Sequence, residues 1–167
     1  MKQFNALYAL VNHWSHVDLS MNAYKILTER YFLKTPEGEF LEKEWSDVCR
    51  RVARVVATAE LVNNPSLQDA TDDEKLDTVK FWEDTFYNFM LSRIFIPNSP
   101  TLFNAGMGVR HELLWKSIDE MSLEDYWEIY NSRNHLHMLS ACFVVPIEDS
   151  IESIFNSVKE FALITKA

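Results

Sequence analysis

Apolar positions along this chain recur mostly at helical spacing, and capping residues mark where each run begins. Ser20 stands before Ala23, Ile26, Leu27 and Tyr31, a spacing that predicts a helix ending near Leu33. Phe32 to Leu41 then sets Pro36 and Gly38 between two short apolar pairs, the pattern of a small hairpin or tight turn. A second helix is predicted from about Glu44 to Val62, with Val48, Val52, Val55, Val56 and Ala59 inward. On this reading Arg50, Arg51 and Arg54 face partners or water, and Asn63-Asn64-Pro65 ends the helix. The longest helix is expected from Asp72 to Ile94: acidic residues crowd its first turn, and Leu76, Val79, Trp82, Phe86, Phe89 and Met90 keep a helical period. Residues 97–108 combine two prolines and two glycines with small polar residues, as in a loop held in one shape. Ser122, with Asp125 three residues on, opens a further helix that offers Leu123, Trp127 and Tyr130 for packing.

The texture changes at Leu139. Leu-Ser-Ala-Cys-Phe-Val-Val-Pro is short, apolar and bounded by turn residues, which predicts one fully buried strand over residues 139–146. Asp149 or Ser150 then caps a helix with Ile151, Ile154, Phe155 and Val158 on one face, so strand and helix form half of a βα unit. The expected fold is therefore mainly α, in three parts: a helical domain over 1–96, a loop with an inserted loop and helix over 97–138, and a strand and helix over 139–167.

Composition narrows the function. A chain of 167 residues with 47% hydrophobic content can bury a sizeable core, but only 3 glycines argue against a self-contained enzyme that wraps phosphates in Gly-rich loops. The net charge of −9, without any basic run, argues against nucleic-acid binding. No stretch has the length and apolarity of a membrane span or the layout of a signal peptide, so a cytoplasmic setting without a membrane partner is expected. Two cysteines, Cys49 and Cys142, do not make a disulfide framework or a CxxC motif. Cys49 sits among core positions of a helix and reads as packing. His135, His137 and Cys142 are plausible zinc ligands, but a fourth is missing, so no metal is expected. The aromatic helix with Phe81, Trp82, Phe86, Tyr87 and Phe89 reads as ordinary core.

Two motifs carry chemistry: Pro97-Asn98-Ser99-Pro100-Thr101-Leu102-Phe103-Asn104-Ala105-Gly106, and Leu139-Ser140-Ala141-Cys142-Phe143-Val144-Val145-Pro146-Ile147-Glu148-Asp149-Ser150. Ser99 lies between Asn98 and Pro100, where a fixed backbone can aim a hydroxyl at phosphate or ribose oxygens. Together the motifs resemble the substrate loop and first barrel strand of the ribonucleotide reductases. The Arg50-Arg51-Val52-Ala53-Arg54 helix and the aromatic helix before Pro97 are similar to the N-terminal helical domain of that family. The long PNSPTLFNAG form points to the adenosylcobalamin-dependent class.

The resemblance implies a large-subunit fragment that opens the ten-stranded α/β barrel of that family. It implies that Ser99, Ala141 and Cys142 contact the ribonucleotide, and that Cys142 is one of two thiols that reduce the ribose and end as a disulfide. It also implies that Asp149 and Ser150 read a deoxynucleotide effector and that the helix after them packs against a twin in a homodimer. The complete enzyme would generate a thiyl radical with adenosylcobalamin, abstract hydrogen from the ribose 3′ carbon and expel the 2′ hydroxyl.

The chain also departs from the family's pattern. Met107 to Met138 inserts a loop and a helix between the motifs, where many relatives have few residues; the resemblance assigns it no role, and a lid or an interface element is one candidate. No ATP-cone is recognisable ahead of the helices, so control of overall activity by ATP and dATP is not expected from these residues. The remainder of the subunit, with the second reducing thiol, the radical-bearing cysteine and most of the cobalamin site, is expected to lie beyond Ala167, so the chain alone is not expected to turn over. The competing reading is a non-enzymatic helical interaction module that carries one buried cysteine.

Overall fold

A computed structural model of the chain describes residues 19–132 and 138–166. The first helix, α1 (Met21–Arg30), is capped by Ser20, whose side chain accepts from the Ala23 amide. The turn after it is the expected hairpin: Lys34 and Phe40 form an antiparallel bridge, Thr35 N–H donates to Glu39 O at 2.8 Å, and Gly38 takes φ +91°. Only Gly is unstrained there.

Helix α2 (Trp45–Ala57) starts where the Asp47 carboxylate accepts from the amides of Lys43 and Glu44 at 2.8 and 3.0 Å. It stops earlier than its apolar period suggests. A turn at Thr58-Ala59, with the Thr58 hydroxyl donating back to Val55 O at 2.7 Å, separates it from the short α3 (Glu60–Asn63). Helix α4 (Asp72–Leu91) is capped by a reciprocal box: Thr71 Oγ1 accepts from the Glu74 amide, and Glu74 accepts from the Thr71 amide. It ends at Leu91, ahead of the expected Ile94, and Arg93 in the turn that follows takes φ +59°. Three shorter helices follow, α5 (Ser99–Asn104), α6 (His111–Trp115) and α7 (Leu123–Ser132), and then α8 (Ile151–Lys166).

The core lies where α2 is laid against α4. Val48, Cys49, Val52, Ala53 and Val55 from α2 and Val79 and Met90 from α4 are buried, and so are Leu113 and Leu114 of α6. Helix α7 opens with the expected Ser122 and Asp125 box, but its buried side chains are Tyr126 and Ile129, whereas Leu123, Trp127 and Tyr130 are half-buried. The segment from Met107 to Ser132 is thus built into the helical core through Val109, Leu114, Met121 and Ile129.

Two expectations are corrected. Arg51 and Arg54 do not face water or a partner: both side chains are fully buried, paired with Glu42 at 2.8 Å and Glu83 at 2.9 Å. Their acceptors come from other parts of the chain, so the pattern of α2 by itself cannot reveal them. Arg50 is the partly exposed one, and it too reaches Glu83 at 3.3 Å while stacking on the Tyr87 ring at 3.7 Å. Among the described residues no buried side-chain nitrogen or oxygen lacks a hydrogen-bond partner.

The second correction concerns residues 139–146. They form no strand, and Phe143, Val144 and Ile147 are exposed. A strand exists through hydrogen bonds to a neighbour, and the described residues provide no sheet to join. The helix that should follow is present as α8. Ser150 caps it by accepting from the Ser153 amide at 3.1 Å, and the Ser157 hydroxyl donates to Pro146 O at 2.8 Å.

Glu83 collects Arg54, Arg50 and the Tyr126 hydroxyl, the last at 2.7 Å. Glu83→Ala is expected to destabilise the fold by about 3–5 kcal/mol, since it leaves a buried guanidinium unpaired; urea denaturation measures it. Burial, then the Glu83 charge and hydrogen bond, push the Tyr126 phenol well above its ordinary range. Its contribution to stability is therefore full below about pH 10 and declines above it, as the unfolded chain's phenol ionises. Denaturation midpoints taken across that range should fall more steeply for the parent than for Tyr126→Phe.

Candidate functional site

The loop at residues 97–106 is built on α5. Asn98 caps that helix, its Oδ1 accepting from the Thr101 amide at 3.1 Å, and Pro100 stands in the first turn, where a missing N–H costs nothing. Ser99, one of the predicted site residues, is therefore exposed on a rigid turn, with its hydroxyl 3.0 Å from that of Tyr31.

The far end of the loop is held from below. Arg51 donates through Nη2 to Leu102 O at 2.9 Å and through Nη1 to Ala105 O at 2.5 Å, while Glu42 neutralises it at 2.8 Å. The guanidinium thus satisfies carbonyls that a six-residue helix would leave bare. Glu42 is fixed in turn by the Leu33 amide at 2.7 Å. Gly106 follows with φ +84°, and a Cβ there would lie 2.9 Å from Arg51 Cγ. Glycine is required at this position twice over, by conformation and by space.

The loop also binds the second motif. The Thr101 hydroxyl lies 2.7 Å from Leu139 O and 2.8 Å from Asn98 Oδ1, its single proton shared between them, and Asn104 Nδ2 donates to Met138 O at 2.7 Å. The start of the cysteine segment is thereby fastened to the loop that carries Ser99. Ala141 and Cys142 follow as exposed residues, Cys142 as a free thiol. Asp149 and Ser150 lie further along at the start of α8, both exposed, with Ser150 serving as the cap. Cys49 is buried, and desolvation pushes its thiol well above the ordinary range, so it stays protonated and unreactive.

Tyr31, Glu42, Arg51, Thr101 and Asn104 were not marked as site residues by their sequence. Thr101 and Asn104 at least lie inside the motif, whereas nothing in a linear pattern joins Tyr31 to a serine 68 positions away. His135 and His137 lie outside the described residues, and among those described no cluster of three or more His, Cys, Asp or Glu could hold a metal ion. No described helix is long and apolar enough to cross a membrane.

Residues 17–110 match the family model of the ribonucleotide reductase all-alpha domain. The chain belongs to the ribonucleotide reductase family. It is 29% identical over 159 residues to a vitamin B12-dependent ribonucleoside-diphosphate reductase of Mycobacterium tuberculosis, an alignment covering 95% of this chain and 17% of that protein. It is 28% identical over 193 aligned residues to the enzyme of the same name from Thermoplasma acidophilum, covering 89% of this chain and 22% of that one. The chain thus spans about a fifth of the length of these relatives. It corresponds to the N-terminal part of a reductase large subunit.

Two outcomes follow for the loop and the thiols. Gly106→Ala should lower stability by about 1–3 kcal/mol, because the new methyl group is strained in φ and displaces Arg51; denaturation of the purified variant measures it. A thiol reagent should modify Cys142 in the native protein and reach Cys49 only after unfolding, so mass spectrometry of the native sample should show a single adduct.

Proposed function

We propose that this chain supplies the substrate loop and one reducing thiol of an adenosylcobalamin-dependent ribonucleotide reductase, acting on ribonucleoside di- or triphosphates in the cytoplasm. The observation that carries this reading is the pair of hydrogen bonds from Thr101 and Asn104 to Leu139 and Met138, which fasten the cysteine segment to the Ser99 loop. A reductase needs such a junction, because the group that holds the nucleotide and the thiol that reduces its sugar must share one substrate.

In this scheme the Ser99 hydroxyl donates to a phosphate or ribose oxygen, and Ala141 and Cys142 face the sugar. Two thiols, that of Cys142 and a second from the rest of the subunit, give up two protons and two electrons. The ribose loses its 2′ oxygen as water and the sulfurs join as a disulfide. The exposed position of Cys142 supports the role, since the disulfide must be reduced again by an external dithiol.

Adenosylcobalamin, when bound, supplies the radical that starts the reaction. The cavity nearest the loop does not fit the group itself. This apolar cavity, about 400 Å³ and lined by Val56, Phe86, Met90 and Phe95 among others, has Thr101 as its one polar side chain, and that hydroxyl is already engaged. It lacks the donors that the amide rim of a corrin needs. The chemistry assigned to this chain is therefore that of binding and thiol reduction.

Asp149 and Ser150 are assigned to a deoxynucleotide effector, and α8 to a homodimer interface. In support, both polar side chains are exposed at the head of α8, and its apolar face, with Ile151, Ile154, Phe155 and Val158, lies open to solvent. An exposed apolar stripe of this kind calls for a covering surface.

The test uses the complete subunit. Cys142→Ser should abolish deoxynucleotide formation sustained by an external dithiol while leaving ribonucleotide binding within about twofold, because sulfur and oxygen differ little in size but only the thiol is oxidised to a disulfide. Turnover at the parent rate would show that Cys142 is not a reducing thiol.

A further inference from the structure

Tyr31 Oη and Ser99 Oγ meet 3.0 Å apart although 68 positions separate them in the chain. A single neutral hydrogen bond at a wet surface contributes little to folding, so the contact calls for another explanation. Tyr31 is held from several directions. Its amide donates to Leu27 O at 2.9 Å, its ring leans on Phe103 with centroids 6.2 Å apart, and its carbonyl accepts from Arg51 Nη2 at 3.3 Å. That same guanidinium holds the Leu102 and Ala105 carbonyls of the loop and is neutralised by Glu42. One buried ion pair therefore sets the distance between the residue bearing the phenol and the loop bearing the serine.

The chemistry of the two hydroxyls fixes the direction of the bond once a nucleotide is present. A serine hydroxyl has one proton and three staggered positions, and left alone it samples them. A phosphate oxygen only accepts, so Ser99 must donate its proton to the ligand, and Tyr31 must be the donor to Ser99. A phenol held at both ends can select that rotamer in advance, which lowers the cost of ordering the loop on binding.

We propose that Tyr31 is a positioning residue of the nucleotide site: its phenol donates to Ser99 Oγ and turns the serine proton toward the substrate, with the Glu42 and Arg51 pair holding the two in register. This rests on the reading of Ser99 as a substrate contact. Tyr31 itself does not touch the reacting atoms.

The experiment is a double-mutant cycle in the complete reductase subunit, with kcat and KM for the ribonucleotide measured for the parent, Tyr31→Phe, Ser99→Ala and the double variant. Tyr31→Phe keeps the ring against Phe103 and removes only the hydroxyl. It should raise KM about fivefold, leave kcat within about twofold, and leave the thermal midpoint within about 2 °C of the parent. In the Ser99→Ala background the same substitution should add nothing to KM. An equal rise in both backgrounds would show that Tyr31 acts independently of Ser99 and overturn the proposal. A rise with Ser99→Ala but none with Tyr31→Phe would overturn it while leaving Ser99 as a substrate contact. Unchanged KM in both single variants would remove both assignments.

Discussion

The arrangement depends on two buried arginines one turn apart on α2. Arg51 and Arg54 are each fully enclosed, and each is matched to a carboxylate from elsewhere in the chain, Glu42 and Glu83. An unpaired charge in such a place would cost several kcal/mol, so the fold is viable only when those acceptors arrive together with carbonyls to absorb the remaining donors. That requirement organises everything around α2. Arg54 draws in α4 through Glu83 and α6 through the carbonyls of Leu113 and Leu114, while Arg51 draws in the hairpin through Glu42 and α5 through Leu102 and Ala105.

Ion pairs of this kind add less net stability than an apolar core of equal volume would, because desolvation offsets most of their attraction. What they add here is direction. A guanidinium has five donors in a fixed plane, and a carbonyl that is to be met must sit where the plane points. The loop from Asn98 to Gly106 is therefore held at a set height over α2, with Gly106 allowing the backbone to approach Arg51 as closely as it does. Rigid support beneath an exposed polar turn is what a binding loop needs, since little freedom remains to be lost when a ligand arrives.

The second half of the chain shows the opposite condition. Residues 141–148 form no regular secondary structure, most of them are exposed, and α8 turns its apolar side chains to solvent. The local signals there are satisfied, as the Ser150 cap and the return of Ser157 to Pro146 show. Among the described residues no strand lies beside residues 139–146, and nothing covers the apolar face of α8.

Much was legible in the residues themselves. The helix starts at Ser20 and Ser122, the turn at Gly38, the cap at Ser150 and the two motifs all follow from local stereochemistry, which acts over a few positions and so leaves a mark in a short window. The family, too, could be read from the motifs. The destination of Arg51 and Arg54, the burial of Tyr126, the meeting of Tyr31 with Ser99 and the absence of a strand at 139–146 were decided only in three dimensions. Each depends on which distant group arrives to accept a hydrogen bond, and periodicity within one element carries no information about the neighbour that will face it.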